Sequence, residues 1–120
     1  MLRLCALAEL SDPGAFEFSW GSGAWPLSLF VVRRGQLLRG FLNRCPHAGH
    51  ELNLKANEFL TRDGEMIMCR SHGARFRIDD GLCLLGPCPG AALRAFDVDV
   101  ADGYLVVDEA ELARLAASQG

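Results

Sequence analysis

A nearly all-β chain closed by one short helix is the fold class that this sequence predicts. Three observations support it. Short runs that alternate apolar and polar residues, such as Phe16-Glu17-Phe18 and Arg75-Phe76-Arg77-Ile78, recur along the chain. Turn clusters rich in Gly, Pro and Asp separate them. Helix formers at helical spacing gather only near the C-terminus. The expected arrangement is one of short antiparallel strands in stacked sheets, as in a sandwich or barrel.

The elements follow in order. Residues 2–7 form a weakly alternating strand that ends at Ser11-Asp12-Pro13-Gly14. A second strand covers Phe16-Glu17-Phe18 and is broken by Gly21-Ser22-Gly23. Residues 27–32 are a β-branched and aromatic run, turned back through Arg33-Arg34-Gly35-Gln36 into residues 37–42 as a hairpin. Residues 52–60 suit a loop or one helical turn, and Arg62-Asp63-Gly64-Glu65 turns the chain into the strand Met66-Ile67-Met68. Residues 75–78 and 82–85 flank the turn Asp79-Asp80-Gly81. Gly86-Pro87-Cys88-Pro89-Gly90 is excluded from a central strand, because its prolines lack ladder donors. Residues 96–100 and 104–107 form a last hairpin around Ala101-Asp102-Gly103. A helix follows over about 108–117, capped by Asp108 with Glu111 completing a capping box, its apolar stripe being Leu112, Leu115 and Ala116.

The 120 residues predict one domain, 1–120, long enough to bury a core without disulfides. Half of the residues are apolar, which argues against global disorder. The formal net charge of −3 and the absence of a basic tract argue against nucleic acid as a partner. The pairs Arg33/Arg34 and Arg75/Arg77 read as solvated strand faces. No run is apolar enough to span a bilayer, and the apolar stretch near the N-terminus is interrupted by Glu9 and Asp12 without a cleavage site. The expectation is a cytoplasmic protein with no membrane partner. Five cysteines, an odd count, then read as ligands or buried thiols.

Two short boxes carry the chemistry: Cys45-Pro46-His47-Ala48-Gly49-His50 and Cys69-Arg70-Ser71-His72-Gly73-Ala74. All three histidines of the chain, 47, 50 and 72, fall in them. Each box follows a strand, so each loop projects a thiolate and an imidazole from a rigid base. Cys45, His47, Cys69 and His72 make a set of four that can hold an iron–sulfur cluster or a zinc ion. Zinc sites usually take two cysteines from one loop and two histidines from another, which suits one Cys and one His per loop less well.

Cys45-x-His47 and Cys69-x-x-His72 resemble the signature of the Rieske-type 2Fe-2S ferredoxins. The resemblance continues through His72-Gly73-Ala74-Arg75-Phe76, Asp80-Gly81 and Gly86-Pro87-Cys88-Pro89, and covers roughly residues 37–107. It implies a Rieske-like fold with a cluster-binding part of two loops at about 43–90. One 2Fe-2S cluster would then bind at Cys45, His47, Cys69 and His72, with the thiolates on one iron and the imidazoles on the other. Replacing two thiolates by neutral imidazoles makes the added electron easier to hold. Rieske potentials accordingly span about −150 to +300 mV, against about −400 mV for plant-type clusters.

High-potential Rieske proteins of respiratory complexes carry a disulfide between the boxes and hydroxyl donors near the cluster. The corresponding positions here hold His50 and Ser71 in place of the disulfide, and Ala74 and Phe76 in place of the hydroxyls. A low-potential, ferredoxin-type centre is therefore expected. One departure is the spacer of 21 residues, 48–68, between His47 and Cys69, longer than is usual in small Rieske ferredoxins. Its extra length falls most simply within 52–63, where an insertion is cheap.

The other candidates read more plainly. His50 could take a proton near the cluster, but a surface histidine with no role is favoured. Cys5 reads as a small buried hydrophobe, and Cys83 and Cys88 as packing residues. Pro87 stiffens a loop over the cluster, or is an ordinary turn proline. Trp20 and Trp25 read as packing of a satellite cluster.

The expectation is thus a non-catalytic electron carrier, a soluble ferredoxin component between a reductase and an acceptor oxygenase or other oxidoreductase. It would dock through the face where His47 and His72 reach the surface. The chain has no histidines to spare for the mononuclear iron site of a Rieske oxygenase. Two alternatives are a small Rieske-like subunit of a nitrite reductase-type complex, and a metal-bound structural or redox-sensing module.

Overall fold

The computed structural model describes residues 1–21, 26–46, 50–71, 73–86 and 90–117. Among the described residues, ten strands form three antiparallel sheets. β1 (Leu2–Ala6), β10 (Tyr104–Val107) and β9 (Asp99–Ala101) make the first, in the order β1-β10-β9. β2 (Gly14–Trp20), β3 (Leu27–Arg34), β4 (Leu37–Leu42) and β8 (Ala95–Phe96) make the second, in that order. β5 (Met66–Met68), β6 (Arg75–Arg77) and β7 (Cys83–Leu85) make the third. α1 (Glu109–Ala117) closes the chain. The all-β class with one C-terminal helix is as the sequence predicts.

The four-stranded sheet is buried on both faces, which explains why β3 reads as a continuous apolar run rather than an alternating one. Successive side chains point to opposite faces. Phe30 and Val32 enter one core with Phe41, Leu52, Phe59, Ile67 and Phe76. Leu29 and Val31 enter the other with Phe96, Leu105, Val107, Leu112 and Leu115. The first core lies beneath the β5–β7 sheet and holds both box cysteines, Cys45 and Cys69. The second joins the β1-β10-β9 sheet and the helix to the middle sheet.

Several local expectations are corrected. The strand expected over 96–100 is two strands in different sheets: Phe96 pairs with Gly40, whereas Val100 pairs with Leu105. The break has a packing cause. The Phe96 ring lies so close over Gly40 that any Cβ there would collide with it, which ties 95–96 to β4. The turn between β3 and β4 is narrower than Arg33-Arg34-Gly35-Gln36. Pairing runs to Arg34 opposite Leu37, leaving Gly35 and Gln36, and Gly35 takes the positive φ of 62° that a two-residue turn requires.

Arg33 is not on a solvated face. It is half-buried, and its Nη1 donates to the carbonyls of Leu7 and Leu10 at 3.1 and 3.0 Å. This holds the 3-10 turn Leu7–Glu9, which the sequence did not announce.

At the helix, Asp108 caps as expected, accepting from the Ala110 amide at 2.9 Å. The capping box does not close in the expected way, because the Glu111 carboxylate accepts from the Asp97 amide at 2.8 Å. Leu112 and Leu115 are buried, but Ala116 is exposed. Cys5 is only half-buried, and burial pushes its thiol above the ordinary value, with Glu9 adding to the shift. Cys83 is a core residue, and Trp20 packs on the second core. Trp25, Pro87 and Cys88 lie outside the described residues.

Candidate metal centre

Each box begins at a cysteine that is wholly buried. Cys45 lies just beyond the end of β4, and Cys69 just beyond the end of β5. The two loops close in the same way. The Cys45 amide donates to the His50 carbonyl at 2.7 Å, and the Cys69 amide donates to the Ala74 carbonyl at 2.8 Å. Both bonds span five residues, so each box is closed at its base beside a thiol. In the second loop the Gly73 amide also returns to the Cys69 carbonyl at 3.0 Å. That turn places Gly73 at φ 72°, a conformation that favours glycine.

The loops are also tied to each other and to the scaffold. The Arg70 amide donates to the Leu52 carbonyl at 2.8 Å, linking the second loop to the chain leaving the first. Asn43, buried at the end of β4, accepts from the Leu52 amide at 2.9 Å. Its own amide nitrogen donates to Ser28 Oγ and Asn53 Oδ1, both at 3.0 Å. Asn53 in turn donates to Glu17 Oε1 at 2.9 Å. A buried polar group must find partners, and this network satisfies Asn43 while tying it to Leu52 and Asn53. Sequence reasoning missed Asn43. Its one signal is a polar residue set between an apolar strand and a cysteine box.

The spacer is less of a free loop than the sequence suggests. Leu52 and Phe59 are fully buried, and the Phe59 ring stacks on Phe30 at a centroid distance of 4.0 Å and 7° between planes. Burying such a ring contributes about 1.5–3 kcal/mol. Gly86 also meets the second box. At Gly86, φ is 103°, and a Cβ would lie 2.7 Å from the Ala74 Cα. The glycine thus lets the backbone at residue 86 lie in direct contact with Ala74 of the second box.

Of the four residues singled out by the sequence, Cys45 and Cys69 are therefore in one core, and neither is in a disulfide. His47 and His72 lie outside the described residues. His50 is exposed, its Nδ1 2.9 Å from the Glu51 carbonyl. Two fully buried thiols at the bases of matching loops are of the donor type that an iron–sulfur group takes.

A family model, the Rieske [2Fe-2S] domain, matches residues 2–106. The chain belongs to the Rieske family. Ferredoxin CarAc of Metapseudomonas resinovorans is 29% identical over 106 residues, covering 88% of this chain and 91% of that one. The solved complex of reduced oxygenase and oxidized ferredoxin in carbazole 1,9a-dioxygenase contains a chain that superimposes with a TM-score of 0.69 at 26% identity. The match covers 89% of this chain and all of that one. The ferredoxin of carbazole 1,9a-dioxygenase from Nocardioides aromaticivorans IC177 gives a TM-score of 0.68 at 25% identity, over 88% of this chain and 94% of that one. This Rieske protein accordingly carries one 2Fe-2S cluster and transfers electrons as a ferredoxin. The buried thiols fit that cluster.

Proposed function

We propose that Cys45, His47, Cys69 and His72 hold the cluster, the two thiolates on one iron and the two imidazoles on the other. The observation that carries this is the matched pair of loops, each closed five residues on from a fully buried cysteine of the same core. The bound cluster supplies a one-electron couple whose potential is raised by the imidazoles. The chain's own residues set the surroundings. Cys45 and Cys69 exclude water by their burial. Ala74 and Phe76, also buried, offer no hydroxyl to the cluster's sulfurs. That supports a potential toward the negative end of the Rieske range.

The residues 1–120 act as one domain, with the cluster-binding part at about 43–90 and the helix at about 108–117. The protein is a carrier with no catalytic site of its own. It takes an electron from a reductase and gives it to an oxygenase component, in the cytoplasm, docking through the face formed by the two histidine-bearing loops. The solved ferredoxin–oxygenase complex of carbazole 1,9a-dioxygenase supports the oxygenase as acceptor.

The test is electron paramagnetic resonance of the dithionite-reduced holoprotein. A 2Fe-2S signal of low average g with two nitrogen couplings is expected, lost in His72→Ala. A colourless protein holding one zinc ion would overturn the ligand assignment. Mixing the reduced protein with a Rieske oxygenase under single turnover checks the acceptor, and no electron delivery would overturn that part.

A further inference from the structure

A groove of about 450 Å³ runs beside the second box, lined by Thr61, Arg62, Asp63, Met68, Arg70 and Arg75. It gathers three arginines on a chain of net charge −3. They come from three places: Arg62 from the turn that ends the spacer, Arg70 from the residue after Cys69, and Arg75 from the start of β6, opposite Met68. None of the three makes an ion pair among the described residues. Arg70 Nη2 donates to the Leu60 carbonyl at 2.9 Å, which leaves the charge uncompensated. The groove's one carboxylate, Asp63, is attracted to Arg75, so a single negative charge faces three positive ones. It accepts from the Thr61 hydroxyl at 2.6 Å and from the Glu65 amide at 3.0 Å.

We propose that this groove is a docking site for an acidic segment of the redox partner protein, whose carboxylates sit on Arg62, Arg70 and Arg75. The inference rests on the electron-carrier reading above. Guanidinium groups bind carboxylates through forked hydrogen bonds. A local positive field on an acidic protein orients the encounter so that the face bearing the second box meets the partner.

Two probes test this on the holoprotein. In stopped flow, the reduced cluster gives one electron to ferricyanide, which becomes ferrocyanide, or to hexaammineruthenium(III), which becomes the ruthenium(II) complex. Salt is varied from about 0.01 to 1 M, which shortens the Debye length from about 30 to about 3 Å. The ferricyanide rate is expected to fall as salt rises, against the sign of the net charge. Arg62→Gln/Arg75→Gln is expected to lower the low-salt rate about three- to tenfold, with the difference gone at high salt. Arg114→Gln, on the distant helix, keeps the wild-type rate. By fluorescence anisotropy, a labelled hexaglutamate peptide binds the wild type at low salt and binds the double variant several-fold more weakly. Equal ferricyanide rates for wild type and double variant, or a slowing that persists at high salt, would overturn the docking site, as would unchanged peptide binding. A cluster that reacts with neither oxidant would overturn the carrier reading instead.

Discussion

The main chain and side chain of Arg70 grip both ends of the spacer: its amide binds the Leu52 carbonyl at 2.8 Å and its Nη2 binds the Leu60 carbonyl at 2.9 Å. The residue next to Cys69 therefore also holds the segment that separates the two boxes. Replacing Arg70 by Met keeps the aliphatic stem and the amide but removes the charged donor. A hydrogen bond from a charged group contributes about 1.5–3 kcal/mol. Local opening of the spacer should rise roughly tenfold, with faster tryptic cleavage after the exposed Lys55. Cleavage at the wild-type rate would show that Phe59 and Leu52 hold the spacer without the guanidinium.

Asn43 satisfies three neighbours at once, including the Leu52 amide. Asn43→Ala leaves that buried amide without its acceptor, at a cost of about 1–3 kcal/mol. Thermal unfolding of the holoprotein should fall by roughly 4–8 °C per kcal/mol, as for a domain of about 100 residues. A midpoint within one degree of the wild type would count against the network as a support of the first box.

Gly40 and Phe96 occupy one space. Gly40→Ala forces the Phe96 ring aside and should cost about 1–3 kcal/mol by overpacking. In Gly40→Ala/Phe96→Leu the smaller side chain leaves room, so the two changes should be less than additive in urea unfolding. Strict additivity would mean that the contact is not what limits residue 40.

The absence of a hydroxyl at residue 74 is a testable cause of the low potential proposed above. Ala74 is fully buried, and its carbonyl closes the second loop. Ala74→Ser offers a donor there and should raise the midpoint by about 60 mV, the one-electron equivalent of about 1.4 kcal/mol. Protein-film voltammetry reads the shift directly, and a lowered midpoint would contradict the donor argument.

Asp80 gives the fold a defined acid sensitivity. Its carboxylate is held down at about 2 from 3.8, first by the Arg77 guanidinium and then by the Leu82 amide. A depressed carboxylate stabilises the folded chain above its ordinary value, and that contribution fades as pH falls toward the folded value. The stability difference between wild type and Asp80→Asn should therefore be constant above pH 4 or so and shrink between about 4 and about 2. A difference independent of pH across that window would remove Asp80 from the acid response.

How much was legible beforehand follows from which forces are local. Alternation in β6, the turn glycines and the Asp108 cap are written within a few residues, and they came out as read. The bases of the two boxes are local as well, since each is set by its own five-residue hydrogen bond at Cys45 and Cys69. What the sequence could not show depends on partners far along the chain. Arg33 was drawn inward by the carbonyls of Leu7 and Leu10, Glu111 was diverted to Asp97, and residues 96–100 were divided between sheets by Phe96 over Gly40. The chemistry of the centre was set by which side chains the boxes contain. The burial of its thiols, the anchoring of the spacer through Phe59 and Arg70, and the gathering of three arginines into one groove came only with the packing of the sheets. Contacts of that kind join residues whose sequence separation leaves no periodic trace.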